Sequence, residues 1–413
     1  MTTPATMRPP LTGLTILDLA DEPVALAARL LGDLGATVIR VESANGDSLR
    51  QAGPFVHGEP GIERSLPHFV YNAGKQSLAL DLDSPRAWEI IGTMAARADV
   101  VIAPVRRIGP ARDFFAPSNF ERVAPGIGLV QPLFRRDREE EFTDLIGIAA
   151  GGQLSLNGYA EDPPNHPAGN LAYKQLALAS ALAAMSLVFE SAAGRPTGRI
   201  EVSMQEAVMW TTIQSANENY WHWHQLSPAR RGIDNVGGQT IFPSRDGKYL
   251  SLYHHPPAFA AFARWYGEVF GDDTYTRAPW DDGYYRFEQA VRITEITAQF
   301  CASMDREALI TEAQKRGILA VPVQSVGDIA ADPHLRARGF FQPVRVDQLD
   351  AELELLRAPF VSSLFTSVAK APPALGEHSV AVLRTAGFSD ETVAALLAEG
   401  VVHACAPAPA VAP

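Results

Sequence analysis

Over the first third of the chain, short aliphatic and β-branched runs alternate with stretches of helical apolar periodicity. Residues 15–19 (TILDL) predict a strand, residues 24–34 a helix ending near Gly35, and residues 37–42 (TVIRVE) a second strand. Residues 77–82 (SLALDL) read as a third strand, and Asp83, Ser84 and Pro85 announce the helix after it, with proline in the first turn. Residues 100–103 and 128–130 extend the series. Strands separated by helices of this length predict right-handed βαβ units and a parallel sheet, an α/β architecture.

From residue 171 to 190 the pattern is helical but apolar on almost every face, which predicts a helix buried all round in a large core or across an oligomer interface. Residues 193–198 (AGRPTG) punctuate before a strand at 199–203 (RIEVS). Near residue 215 the composition changes. Trp221, Trp223, Trp265 and Trp280 follow, with a glycine-bearing loop at 234–240 and a strand at 247–252. These shifts divide the chain into a large domain over 1–215, a small domain over 225–325, a return to the large domain over 326–402 and a disordered tail over 403–413. Trp221, Trp223, Tyr253 and Trp265 hint at an aromatic or bulky ligand, although such residues more often build a core.

Composition narrows the function classes. The 413 residues carry a formal charge of −12 with no Lys/Arg run, which speaks against a nucleic-acid partner. The opening residues lack a signal-peptide pattern, and the apolar run at 176–189 is too short for a membrane span, so a cytoplasmic protein with no membrane partner is expected. Only Cys301 and Cys405 occur, so neither a disulfide framework nor a cysteine-rich metal site is expected. His222 and His224 stand between tryptophans, and His254 and His255 are adjacent; without cysteine or carboxylate partners at ligand spacing they read as structural, and no metal is assigned.

The order of the pieces carries a resemblance. Residues 11–50 (LTGLTILDLADEPVALAARLLGDLGATVIRVESANGDSLR), 72–102, 143–164 (TDLIGIAAGGQLSLNGYAEDPP), 197–207 (TGRIEVSMQEA), 317–341 and 375–402 are collinear with segments of the class III (CaiB/BaiF) CoA-transferases. The likeness spans residues 11–402. It implies a Rossmann-like large domain with a parallel sheet built from both chain ends, a smaller inserted α+β domain, and two subunits interlocked like links of a chain. It also implies an acyl-CoA thioester and a carboxylic acid as substrates, with no permanently bound cofactor.

In that family a nucleophilic aspartate opens the apolar helix; here Tyr173 stands at the aligned position. The chemistry needs a carboxylate that attacks the thioester, forms a mixed anhydride and then holds coenzyme A on its own acyl carbon. A phenol, with an ordinary pKa near 10, has no acyl carbon to offer. Tyr173 therefore reads as a residue filling a lost site or, less plainly, as a hydroxyl donor to a substrate carbonyl. Other family features also differ: Glu22-Pro23 replaces an Ala-Gly-Pro step, and residues 103–108 and 132–137 replace the segments that approach coenzyme A. What the resemblance leaves for coenzyme A is Leu80 beside the adenine, Arg106 and Arg112 toward phosphates, and Gly237, Gly238 and Gln239 as a closing loop.

Asp144 falls where racemases of the superfamily carry a His-Asp pair, but Thr143 replaces the histidine, so Asp144 reads as a helix cap. A nicotinamide enzyme is set aside, because the acidic turn at 18–23 (DLADEP) lacks the glycines that admit a pyrophosphate. The expectation is a family III subunit lacking its own nucleophile and paired in a heterodimer with a homologous subunit that keeps it. Two alternatives stay open. One is an autonomous acyl-CoA hydrolase, lyase or isomerase on the same fold; the other is an acyl-CoA-binding homodimer.

Overall fold

The structure is a computed structural model that describes residues 8–104, 110–135, 143–212, 221–225, 230, 234–235, 238–254 and 258–405. The chain divides into two compact units, one of Met1–Leu154, His166–Gln225 and Ala337–Pro413, the other of Ser155–Asn165 and Leu226–Arg336.

In the larger unit, β1 (Thr15–Asp18), α1 (Ala25–Asp33), β2 (Thr37–Ser43), α2 (Leu66–Asn72), β3 (Gln76–Leu80), α3 (Pro85–Ala95) and β4 (Val100–Ile102) follow one another as the periodicity predicts. Next come α4 (Pro110–Phe114), α5 (Pro117–Val123), β5 (Gly128–Leu133), α6 (Asp144–Ala150), α7 (Leu171–Ala192), β6 (Arg199–Ser203) and α8 (Met204–Thr212). The six strands pair in parallel in the order β3-β2-β1-β4-β5-β6, and Val402–His403 adds an antiparallel edge beside β3. Beyond that edge, the Cys405 N–H donates to the Gly376 carbonyl.

Alternation along the strands feeds two cores, because successive side chains leave a strand on opposite faces. Ile16, Val38, Val100 and Val130 meet α1, α7 and α8 on one face. Leu17, Ile39, Val41, Leu78 and Leu80 meet α3, α5 and the C-terminal helices at Ser379–Thr385 and Asp390–Ala398 on the other. Sheets buried on both faces are what parallel βαβ units require.

The smaller unit has a three-stranded antiparallel sheet in the order Leu319–Pro322, Tyr249–Tyr253, Ile241–Pro243. Helices Phe259–Phe270, Ala290–Cys301 and Arg306–Lys315 contribute to one aromatic core that includes Phe242, Phe262, Trp265 and Phe300. Trp265 and Trp280 belong to that core, while Trp221 and Trp223, in the larger unit, are exposed.

Of the two placements expected for α7, a core or an oligomer interface, the core of this chain covers one side. Helix α7 is not buried all round in this chain: Ala172, Leu176, Ala184 and Leu187 are buried, but Leu178, Leu182 and Phe189 are 52%, 71% and 67% exposed. Those three positions fall four and seven residues apart, on one stripe of the helix. By length and composition α7 could cross a membrane, yet its other side is part of the sheet core.

Candidate functional site

The strand order reverses between β1 and β4, and in open α/β sheets the crevice outside the carboxyl ends of the strands at such a switch point is where ligands bind. Glu22 follows β1 directly at this end. Near it stands the first turn of α7, which carries Tyr173.

Glu22, Pro23, Leu26, Tyr71, Asn170, Tyr173 and Lys174 enclose a cavity of about 10 Å3, hardly room for one water. Burial pushes the Tyr173 phenol up to about 12, and the Glu22 carboxylate adds to the shift. Burial likewise raises Glu22, helped by Asp21, Asp144 and Asp47, and raises Tyr71, helped by Glu22 and Asp144. The pocket is therefore small and phenolic, with one carboxylate and one lysine, Glu22 and Lys174, among its walls.

Asp144 does cap a helix, but a different one from the helix it begins. Thr143 caps α6, its hydroxyl accepting the Ile146 N–H. Asp144 is buried, and its Oδ1 accepts the Tyr173 N–H at 3.2 Å, one of the free donors at the start of α7. Its Oδ2 lies 2.8 Å from Nε2 of His166, which is 39% exposed at its side chain. A His-Asp pair thus forms after all, with a histidine 22 residues away. No spacing rule in the sequence joins these two residues, and sequence reasoning missed His166.

Beside this cluster, buried carboxylates meet cations. Lys75 Nζ donates to Asp18 Oδ2 and to the Ala25 carbonyl, each at 2.8 Å. Arg40 pairs with Asp47 at 2.5 Å. Arg50 donates to both oxygens of Glu42, at 2.7 and 2.9 Å, and to Glu63 at 2.8 Å. Glu42, Asp47 and His68 bring one ligand atom each to within 4.8 Å of one another. The donor set suits a cation poorly, because Arg40 and Arg50 already occupy the two carboxylates. Burial, with the Arg50 charge, brings His68 down to about 4.

Comparison with known proteins decides the lineage. The profile of CoA-transferase family III matches residues 11–379. This chain belongs to CoA-transferase family III. A subunit of succinyl-CoA:(R)-benzylsuccinate CoA-transferase from Thauera aromatica, BbsE, is 28% identical over 94% of this chain and 97% of its own length. Succinate–glutarate CoA-transferase from Agrobacterium fabrum is 26% identical over 93% and 97%. A CaiB/BaiF family protein from Brucella suis has a solved structure that superposes with a TM-score of 0.78 at 23% identity, covering 92% of this chain and 100% of that one. The central, mostly parallel sheet is thus the CaiB/BaiF fold.

The residues that the resemblance assigns to coenzyme A are placed as follows where the structure describes them. Leu80 is fully buried under the C-terminal helices and presents no surface to an adenine. Arg112 is exposed on α4. Arg106 and Gly237 lie outside the described residues. Gly238 and Gln239 form a two-residue strand paired with Asp234–Asn235 in the smaller unit, where the Gln239 N–H donates to Thr294 Oγ1 at 3.1 Å. His254 is buried, stacked on Phe262 and bonded to Thr297 Oγ1 at 2.8 Å. His255 lies outside the described residues.

Proposed function

We propose that this chain is the subunit of a two-chain family III CoA-transferase that lacks the carboxylate on which coenzyme A is carried. The observation behind this reading is Tyr173. It occupies the first turn of a 22-residue helix, where the helix dipole would favour an anion, yet it is a phenol held up to about 12 by burial. A phenol has no carbonyl carbon to accept the thiolate of coenzyme A, and the surrounding cavity of about 10 Å3 leaves no space for a thioester. The carrying carboxylate would come from a homologous partner, and this chain would complete the fold and shape the partner's pocket.

Two further points support a partner. The stripe Leu178, Leu182 and Phe189 leaves α7 apolar toward solvent, and Trp210 on α8 is 88% exposed. Covering such a surface is what an interlocked subunit would do. The relative from Thauera aromatica is itself named as a subunit. The substrates would be an acyl-CoA and a free carboxylic acid, in the cytoplasm.

Co-expression with a homologue that has Asp at the aligned position tests this. Transfer of coenzyme A from succinyl-CoA to an acceptor acid is expected only from the pair. It should vanish when the partner's aspartate becomes alanine and stay within the same order of magnitude for Tyr173→Phe. Transferase turnover by this chain alone would overturn the assignment.

A second reading has the His166–Asp144 pair behind it: an autonomous acyl-CoA hydrolase in which His166 activates water. That reading requires free thiol release by this chain alone and its loss in His166→Ala.

A further inference from the structure

The smaller unit holds a second cavity, of about 430 Å3, which falls in the size range of small-molecule sites. Its walls include Phe259 and Arg264 from the helix Phe259–Phe270, Tyr275 from the following turn, Trp280 and Asp281 from the loop after it, and Arg286 from the helix Gly283–Glu288. Phe259, Tyr275 and Trp280 are buried. The Tyr275 and Trp280 rings meet edge to face at 4.9 Å and 74°, and Trp280 meets Tyr285 the same way at 5.3 Å and 86°. An aromatic ring that enters the cavity meets these rings in the edge-to-face geometry they already use among themselves.

The charges at this cavity are unevenly used. Arg286 donates Nη1 to the Trp280 carbonyl at 2.7 Å and lies 4.8 Å from the Phe259 ring centre, so its guanidinium is fixed while its remaining N–H groups have no partner among the described residues. Arg264 is exposed and has neither an ion pair nor a hydrogen bond among the described residues. Asp281 lines the same space without pairing with either arginine. Two guanidinium groups against one carboxylate leave a single net positive charge beside a wall of rings.

We propose that this cavity binds a small monoanionic aromatic carboxylic acid, its ring on Phe259, Tyr275 and Trp280 and its carboxylate on Arg264 and the free N–H groups of Arg286. A guanidinium held in place before the ligand arrives costs little ordering on binding, and its fork matches a carboxylate. A neutral aromatic would forgo that contact, and a dianion would meet Asp281. The proposal concerns the smaller unit alone and stands whether or not the chain is a transferase subunit.

Calorimetry and saturation-transfer NMR on the full chain with benzoate, benzamide and cyclohexanecarboxylate test it. Benzoate is expected to bind saturably at about millimolar affinity, as suits so small a ligand. Benzamide should bind about tenfold more weakly, and Arg264→Gln should weaken benzoate by about tenfold, the size of a lost charged hydrogen bond. Asp281→Asn should tighten benzoate by about threefold, on the scale of one exposed like-charge contact. Cyclohexanecarboxylate should bind more weakly than benzoate. Arg264 and Asp281 are exposed side chains, so both variants keep the fold. No saturable benzoate binding, equal binding of benzoate and benzamide, equal or tighter binding of cyclohexanecarboxylate, unchanged affinity in Arg264→Gln, or unchanged or weaker affinity in Asp281→Asn would overturn it.

Discussion

Two neighbouring groups of buried charge in the sheet unit have opposite character. Around β2 and α2, carboxylate meets cation throughout: Asp18 with Lys75, Asp47 with Arg40, Glu42 and Glu63 with Arg50. At the head of α7, Glu22 and Asp144 make no bond to a lysine or arginine among the described residues. Glu22 has no ion pair among the described residues, and Asp144 meets only a half-exposed histidine and a backbone N–H. The first group closes the fold across distant segments. Arg50 also donates to the Pro373 carbonyl at 3.1 Å, and Ser77 Oγ both accepts the Gly376 N–H and donates to Glu42. The second group sets the Glu22 carboxyl beside two phenols, and burial raises all three. Charge density alone therefore does not mark the chemistry; the way it is balanced does.

Arg50→Met is the sharpest way to break the balanced group. Arg50 is fully buried, and its loss leaves the buried Glu42 carboxylate uncompensated. Unpairing such a charge costs about 3–5 kcal/mol, and urea unfolding should show a loss of that size. A loss below about 1 kcal/mol would mean that the segment near Pro373 is held by other contacts.

Acid should undo the same region through His68. Burial, together with the nearby Arg50 charge, lowers His68 from its ordinary 6.5 to about 4 in the folded chain. The unfolded chain therefore binds the proton first as pH falls. The stability this group contributes is complete above about pH 6.5 and shrinks as pH drops toward 4, by on the order of 3 kcal/mol. Asp47 acts lower down. Burial raises it, but the Arg40 charge and hydrogen bond outweigh burial and hold it at about 2, so its contribution is whole above about pH 4 and is lost as pH falls from there through 2. Unfolding midpoints measured from pH 7 to 4 should fall steadily, and His68→Gln should flatten that slope. An unchanged slope would assign the acid sensitivity to other groups.

How much of this was legible in the chain follows from what each feature depends on. The parallel sheet was visible because the short aliphatic and β-branched runs at 15–18 and 37–43 and the proline-led helix at Pro85 are local signals. The tyrosine at the head of α7 was visible because it sits in a collinear segment. The partner of Asp144 was not, because His166 reaches it through loop geometry rather than helical or strand spacing. Nor was the role of Glu22, which in sequence was only a departure from a familiar step. In space it joins the wall around Tyr173. The open stripe on α7 was hidden for another reason: composition reports how apolar a helix is, not which chain covers it.

The acidic group at the head of α7 can be divided by two substitutions of unequal weight. Asp144 is buried and receives the Tyr173 N–H, so Asp144→Ala removes a helix cap and should cost about 1–2 kcal/mol. His166 is half-exposed, so its contact with Asp144 is screened by water, and His166→Ala should cost less than about 1 kcal/mol. Thermal unfolding of both variants near neutral pH separates the two contributions. The ordering carries the argument: if Asp144 serves α7 first, its loss outweighs that of its histidine. Equal losses, or a larger one for His166, would mean that the pair acts as a single buried unit, and would move weight toward the reading in which this chain performs chemistry by itself.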